Sequence, residues 1–166
     1  MMHHYWATFS RLIEMPFEHV ALIWGIVPLY FGLLLNELTS AKANFRTAIQ
    51  TGFSFVWAGA QWLYNAHAVD GPHLELGAML PVNLCVTFLV LILGVVALWS
   101  GLRRRYPKHG AFLGHTRFAN YFMITIFPIQ ARYLEWTWDR LMVIGLFAVP
   151  VWLLLHFGLM PVRQQK

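Results

Sequence analysis

Residues 81–102 have the sequence PVNLCVTFLVLILGVVALWSGL, which contains no acid, lysine or arginine. Twenty-seven residues separate Glu75 from Arg103, the nearest of these charged side chains on either side. A helix rises about 1.5 Å per residue, so about 20 apolar residues cross the roughly 30 Å hydrocarbon core of a bilayer. The stretch therefore predicts a transmembrane helix.

The composition of the whole chain favours a membrane environment. Of its 166 residues, 58% are hydrophobic and only 11% are charged, whereas a soluble domain carries about 25% charged residues. The net charge of +5 comes from bases in short loops beside apolar runs. This distribution is typical of membrane topology and of contact with anionic lipid, so it argues against nucleic acid as a partner.

Apolar runs elsewhere in the chain predict further membrane helices. We expect spans at about 19–38, 45–66 and 141–159, besides the span at 81–102. The segment 118–136 is interrupted by polar side chains, so we predict a short span or a re-entrant helix there. Residues 5–17 carry aromatic and aliphatic side chains at helical spacing, which predicts an amphipathic helix lying in the interface.

These segments together define the predicted fold class. It is all-α, a polytopic transmembrane helical bundle of four or five spanning helices with an N-terminal interfacial amphipathic helix. Residues 1–166 are predicted to form a single membrane domain. We favour five spans, because 118–136 and 141–159 have the pattern of two arms of a tight hairpin.

The distribution of lysine and arginine predicts the orientation in the membrane. With the N-terminus outside, nine of the twelve bases lie inside and three outside, whether the bundle has four or five spans. Lysine and arginine are concentrated in cytoplasmic loops. We therefore expect the basic loop 103–117 to be cytoplasmic and the protein to lie in a bacterial inner (cytoplasmic) membrane.

The predicted spans carry neutral polar groups rather than charges. All seven acids fall at helix ends or in loops, which argues against a self-contained pump or coupled transporter. The second span carries a polar stripe on one helical face, formed by Gln50, Ser54, Gln61 and Asn65. The stripe predicts either hydrogen bonds to neighbouring helices or subunits, or the wall of a ligand cavity.

Two further groups of side chains are candidates for binding. His19, His67 and His73 are predicted near the outer ends of the first two spans, where imidazoles could hold a metal ion or haem. Interfacial histidines without a ligand are the alternative. Four bases follow the third span: Arg103, Arg104, Arg105 and Lys108. They could contact anionic lipid or a cytoplasmic partner. Their role in setting the membrane topology is the alternative explanation.

No catalytic motif accompanies these candidates. The sequence contains no nucleophile elbow, phosphate loop, HExxH or CxxC. The leading hypothesis is a non-catalytic accessory or structural subunit of a larger membrane protein complex, with the lipid bilayer and other membrane subunits as partners. Two alternatives stay open: an electron-transfer, metal-binding or haem-binding membrane subunit, and a small carrier or channel for a neutral solute.

Overall fold

The structure is a computed structural model. In the residues that it describes, the secondary structure consists of six helices. These residues are 2–39, 45–67, 80–103 and 117–158. In chain order the helices are α1 (Met2–Glu18), α2 (Val20–Thr39), α3 (Phe45–His67), α4 (Leu80–Arg103), α5 (Arg117–Gln130) and α6 (Trp138–Gly158). For this part of the chain, the prediction of an all-helical protein is confirmed.

One described helix is by itself long and apolar enough to cross a membrane. It is α4, over Pro81–Arg103, where the apolar stretch 81–102 predicts a span. The helices α1 and α2 meet the same requirement of length and composition only as a pair, and they are bent by 111° where they join. The structure thus supports one candidate span, and a bundle of four or five spans stays a prediction.

Glycines bring α3 and α4 into backbone contact. A β-carbon added at Gly52 would lie 2.6 Å from the Leu98 backbone nitrogen and 2.8 Å from the Gly94 carbonyl oxygen. At the other end of the contact, a β-carbon at Gly101 would lie 3.0 Å from the Phe45 carbonyl oxygen. Because rising numbers on α4 meet falling numbers on α3, the two helices are antiparallel. Small residues allow this close approach in membrane bundles.

The helix α2 also runs antiparallel to α3, and it too makes contact through glycines. Gly25 lies against the side chains of Gln61 in α3 and Phe127 in α5, and Gly32 lies against Ser54 in α3. The helix α2 therefore packs against the face of α3 that carries Ser54 and Gln61 of the predicted polar stripe.

The helix α5 is the most completely buried helix of the described chain. It contacts α1, α2, α3 and α6, and its Phe127 is fully buried, with its ring centroid 5.8 Å from that of Trp62. Its 14 residues extend roughly 21 Å at about 1.5 Å each. The segment predicted at 118–136 thus consists of this short helix and part of a non-helical connection at 131–137.

A Schellman turn ends α5 at Arg132. The Tyr133 amide donates to the Pro128 carbonyl oxygen at 3.0 Å, and the Arg132 amide donates to the Ile129 carbonyl oxygen at 3.0 Å. Arg132 has a φ of 67°, the left-handed conformation that glycine usually supplies at this position. The chain then enters α6, which packs back on α5.

The helix α1 folds back against α5 and α6. The Phe9 ring stacks on that of Phe147 with 5.1 Å between centroids, and Leu12 is completely buried. On the other side of the helix, Arg11 forms an exposed ion pair with Glu18 at 3.0 Å. The helix predicted at 5–17 lies within α1, and its apolar face packs against the other helices.

Candidate functional site

The first half of the α3 polar stripe faces α2. The Ser54 hydroxyl lies 3.1 Å from the Pro28 carbonyl oxygen of α2 and 2.9 Å from the Gln50 carbonyl oxygen of α3. A hydroxyl has one hydrogen, which either carbonyl can accept. Gly32 permits this approach, because a β-carbon there would collide with the Ser54 oxygen. Ser54 therefore joins the two helices at a point where they are close together.

Pro28 removes a hydrogen bond from α2 that Trp57 of α3 replaces. Proline has no N–H, so the carbonyl four residues earlier, at Trp24, has no donor within its own helix. The Trp57 indole N–H donates to this carbonyl oxygen at 2.7 Å. In a bilayer, neighbouring helices commonly supply donors to backbone groups freed by proline. Trp57 is thus a structural hydrogen-bond donor at the side of the stripe.

The second half of the stripe lies where α2, α3 and α5 meet. Gln61 Nε2 donates to Asn65 Oδ1 at 3.1 Å, and the Gln61 side chain packs with Phe127 against Gly25. The Asn65 Nδ2 group has no hydrogen-bond partner among the described residues. The two side-chain amides are therefore hydrogen-bonded to each other, and the Asn65 Nδ2 group has no acceptor among the described residues.

A second group of polar side chains connects α4 to the end of α5. This group lies outside the polar stripe predicted from the sequence. The Thr87 hydroxyl lies 2.8 Å from the Asn83 carbonyl oxygen and 3.4 Å from Gln130 Oε1. The Trp136 indole N–H donates to Asn83 Oδ1 at 2.5 Å. In the sequence, Gln130 is visible only as an interruption of an apolar run. Neutral amides inside apolar runs are the signal that could have identified this group.

Several buried polar atoms, in these two groups and at Trp62 and Asn120, have no hydrogen-bond partner within the described ranges. They are Gln50 Oε1, Trp62 Nε1, Asn65 Nδ2, Gln130 Nε2 and both polar atoms of the Asn120 side chain. Asn120 is completely buried in α5, and no pattern in the sequence predicts this. A buried polar atom without a partner costs about 1–3 kcal/mol. Such atoms can bind an internal water molecule or a polar group of a ligand.

Of the three candidate histidines, the structure describes the side chain of His19 alone. His19 lies between α1 and α2, with its ring centroid 4.6 Å from that of Tyr133. His67 is the last residue of α3, and its side chain lies outside what the structure describes, as does all of His73. Among the described side chains, no three His, Cys, Asp or Glu groups come close enough together to hold a metal ion.

Of the four candidate bases, the structure describes Arg103. It ends α4, and its guanidinium lies 3.8 Å from the centroid of the Trp99 ring. A cation over an aromatic face at an exposed site contributes about 0.5–1 kcal/mol. Arg104, Arg105 and Lys108 lie outside the described residues.

No family model matches the chain, and no curated protein or solved structure matches it.

The described polar interior is almost entirely neutral. Its buried polar side chains are hydroxyls and amides, with the guanidinium of Arg132 as the charged exception: Thr47, Thr51, Ser54, Thr87, Asn120, Thr125, Gln130 and Arg132. Groups of this kind donate and accept hydrogen bonds without changing charge near neutral pH. The arrangement can therefore hold helices together and can bind a neutral polar group.

Proposed function

We propose that this chain is a multi-pass helical protein of the inner membrane and serves as a non-catalytic subunit of a larger membrane assembly. The observation that carries the proposal is the outer surface of the described helices. Large apolar side chains are exposed on α2, α3, α4 and α6, for example Trp24 at 71%, Ile92 at 62% and Leu154 at 72%. Neutral hydroxyls and amides lie inside instead. This distribution is suited to hydrocarbon, because a water-soluble protein rarely exposes so large an apolar surface.

The position of α4 supports the subunit role. This helix packs mainly against α3, and its remaining surface exposes large apolar side chains: Val82, Phe88, Leu89, Ile92, Leu93, Val95, Val96, Trp99 and Leu102. A span that packs mainly against one helix of its own chain has room for a further helix from another subunit. We place the partner on this surface of α4.

The hydrogen bonds between distant parts of the chain also support a structural role. Ser54, Trp57 and Trp136 all pair with groups on another part of the chain. Interhelical hydrogen bonds of this kind hold membrane bundles together. In the proposed orientation the N-terminus lies outside and the loop 103–117 is cytoplasmic, in agreement with the distribution of lysine and arginine.

Site-specific photo-crosslinking tests the proposed subunit role. A photoreactive amino acid is placed at Leu89 or Ile92 of α4 and, as a control, at Leu154 of α6, which is more exposed than either. We expect the two α4 positions to crosslink to one discrete membrane protein that also co-purifies stoichiometrically in mild detergent. The Leu154 position should react mainly with lipid. If all three positions react with lipid alone and the chain purifies by itself, the subunit role is wrong.

A carrier or channel for a neutral solute is the second candidate function. The buried amide atoms without described partners, at Gln50, Asn65, Asn120 and Gln130, favour it. Swelling of proteoliposomes in glycerol or urea tests it, with Gln61→Leu and Asn65→Leu as the variants. If the protein is a carrier, its proteoliposomes should swell faster than empty liposomes. Each of the two substitutions should abolish this difference. Unchanged swelling in the variants would exclude this path.

The hypothesis of a metal-binding or haem-binding subunit rests on His19, His67 and His73. It is tested by the visible absorption spectrum and the metal content of protein purified from membranes. A haem band that is lost in the His67→Ala variant would favour it over the subunit role without a cofactor.

A further inference from the structure

A cavity of about 230 Å³ lies between α1, α2, α5 and α6. Its walls include Phe9 and Ile13 of α1, Tyr30 and Leu33 of α2, Ile124 of α5 and Ala148 of α6. None of its described lining residues is charged. Its polar lining residues are Tyr30, Tyr121 and Thr125, and the Thr125 hydroxyl already donates to the Phe122 carbonyl oxygen at 2.8 Å.

The size and lining of this cavity favour an apolar occupant. An engineered apolar cavity of about 150 Å³ stays free of water and binds benzene, and this cavity is larger. An empty cavity also deprives the surrounding side chains of dispersion contacts. Water gains little there, because it needs two to four polar partners and the exposed surface of the lining is almost entirely apolar.

The cavity is partly open, and its lining residues differ in exposure. Phe9, Ile124 and Ala148 are buried, whereas Ile13 and Leu33 are half-buried. Leu33 is followed directly by Leu34, which is 49% exposed on the outer surface. The half-buried part of the cavity wall at Leu33 therefore adjoins the apolar surface that, in the proposed function, is covered by lipid.

We propose that this cavity binds one acyl chain of a bilayer phospholipid. The chain enters past the half-buried residues and fills the space under α1, which helps to hold α1 against the other helices. Hydrocarbon chains are the most abundant apolar molecules at such an opening, and the uncharged lining matches a methylene chain rather than a head group. The proposal rests on the membrane placement made under the proposed function.

Photolabelling in lipid nanodiscs tests this inference. The probe is a phosphatidylcholine with a diazirine in one acyl chain, and labelled residues are identified by mass spectrometry after irradiation. We expect label on Ile124 and Ala148 inside the cavity, and label on Leu89 and Ile92 of α4 as the reference for lipid contact at the surface.

Two variants on α6 separate the cavity from the surface. Ala148→Phe fills the cavity and should lose the label on Ile124, while the α4 reference stays labelled. Val149→Phe places the same phenyl ring at the next residue, which is exposed, and should keep the cavity label. If Ala148→Phe does not fold, Ile13→Phe at the half-buried wall serves in its place.

The outcomes distinguish the two proposals. Label on α4 without label on Ile124 and Ala148 in the unaltered protein would overturn the acyl-chain site and leave the membrane placement intact. Absence of label from α4 as well would overturn the membrane placement itself. Persistence of the Ile124 label in a folded cavity-filling variant would also contradict the acyl-chain site.

Discussion

Trp57 supplies a hydrogen bond to a backbone group of another helix. Its indole N–H donates to the Trp24 carbonyl oxygen, which Pro28 leaves without a donor in its own helix. Both tryptophans are substantially exposed at the outer surface. If hydrocarbon covers that surface, no water can replace the indole, and the hydrogen bond becomes important for stability.

Replacing this donor should therefore destabilise the protein in membrane mimetics. We expect Trp57→Phe to lower the free energy of unfolding by about 1–2 kcal/mol, because a desolvated carbonyl loses its donor. The measurement is unfolding by a denaturing detergent, followed by circular dichroism. Trp24→Phe is the matched control, since it changes a side chain and keeps the carbonyl.

The Pro28→Ala background provides a further check on the same hydrogen bond. Alanine restores an N–H to α2 that can bind the Trp24 carbonyl oxygen within the helix, so Trp57→Phe should cost much less there. If Trp57→Phe lowers the free energy of unfolding equally in both backgrounds, the indole does not stabilise the protein through its hydrogen bond to the Trp24 carbonyl oxygen.

At the scale of helices, the pair α3 and α4 depends on glycines that face each other. A β-carbon at Gly94 would lie 2.9 Å from the Val56 backbone nitrogen and 3.0 Å from the Gly52 carbonyl oxygen. Backbone atoms cannot rotate away as a flexible side chain can. The distance between the two helices is therefore set by the absence of side chains at these positions.

A larger residue at this contact should separate the two helices. We expect Gly94→Leu to lower the free energy of unfolding by about 3 kcal/mol, the upper end of the usual cost of overpacking. Gly145→Leu in α6 is the control, because an added β-carbon there meets nothing within 4 Å. It should be neutral or slightly stabilising, since leucine favours helix more than glycine. Similar losses in both variants would contradict a specific α3–α4 contact.

At the scale of the whole molecule, the distribution of polar and apolar side chains over the described helices is the one that the proposed membrane placement requires. Large apolar side chains cover the outside of four described helices, and hydroxyls and amides lie within. The burial of α5 adds to this arrangement. A 14-residue helix is short for a span of about 30 Å, but contact with four other helices removes most of its surface from any solvent.

Cysteine labelling in spheroplasts tests the orientation of the molecule. In a Cys85→Ala background, which removes the exposed native thiol, we expect a membrane-impermeant maleimide to label His3→Cys in intact spheroplasts. It should label Lys108→Cys only after permeabilisation, because lysine- and arginine-rich loops stay in the cytoplasm. The opposite pattern would reverse the proposed orientation, and recovery of the protein without membranes would contradict its membrane placement.

The sequence by itself determined the helical class and the position of α4, because hydrophobicity and helical spacing are local properties. A run of 27 residues between Glu75 and Arg103 has the composition of a spanning helix in any fold. The face of α3 that carries Ser54, Gln61 and Asn65 was predictable for the same reason, since residues four and seven apart share one side of a helix.

Only the tertiary structure decided which groups those side chains meet. Trp57 and its acceptor are 33 residues apart, and Trp136 and Asn83 are 53 apart, so each pairing depends on how two or more helices pack. The burial of Asn120 and Gln130 and the cavity beneath α1 likewise arise between elements. No local pattern contains them, because they are properties of the space that the packed helices enclose.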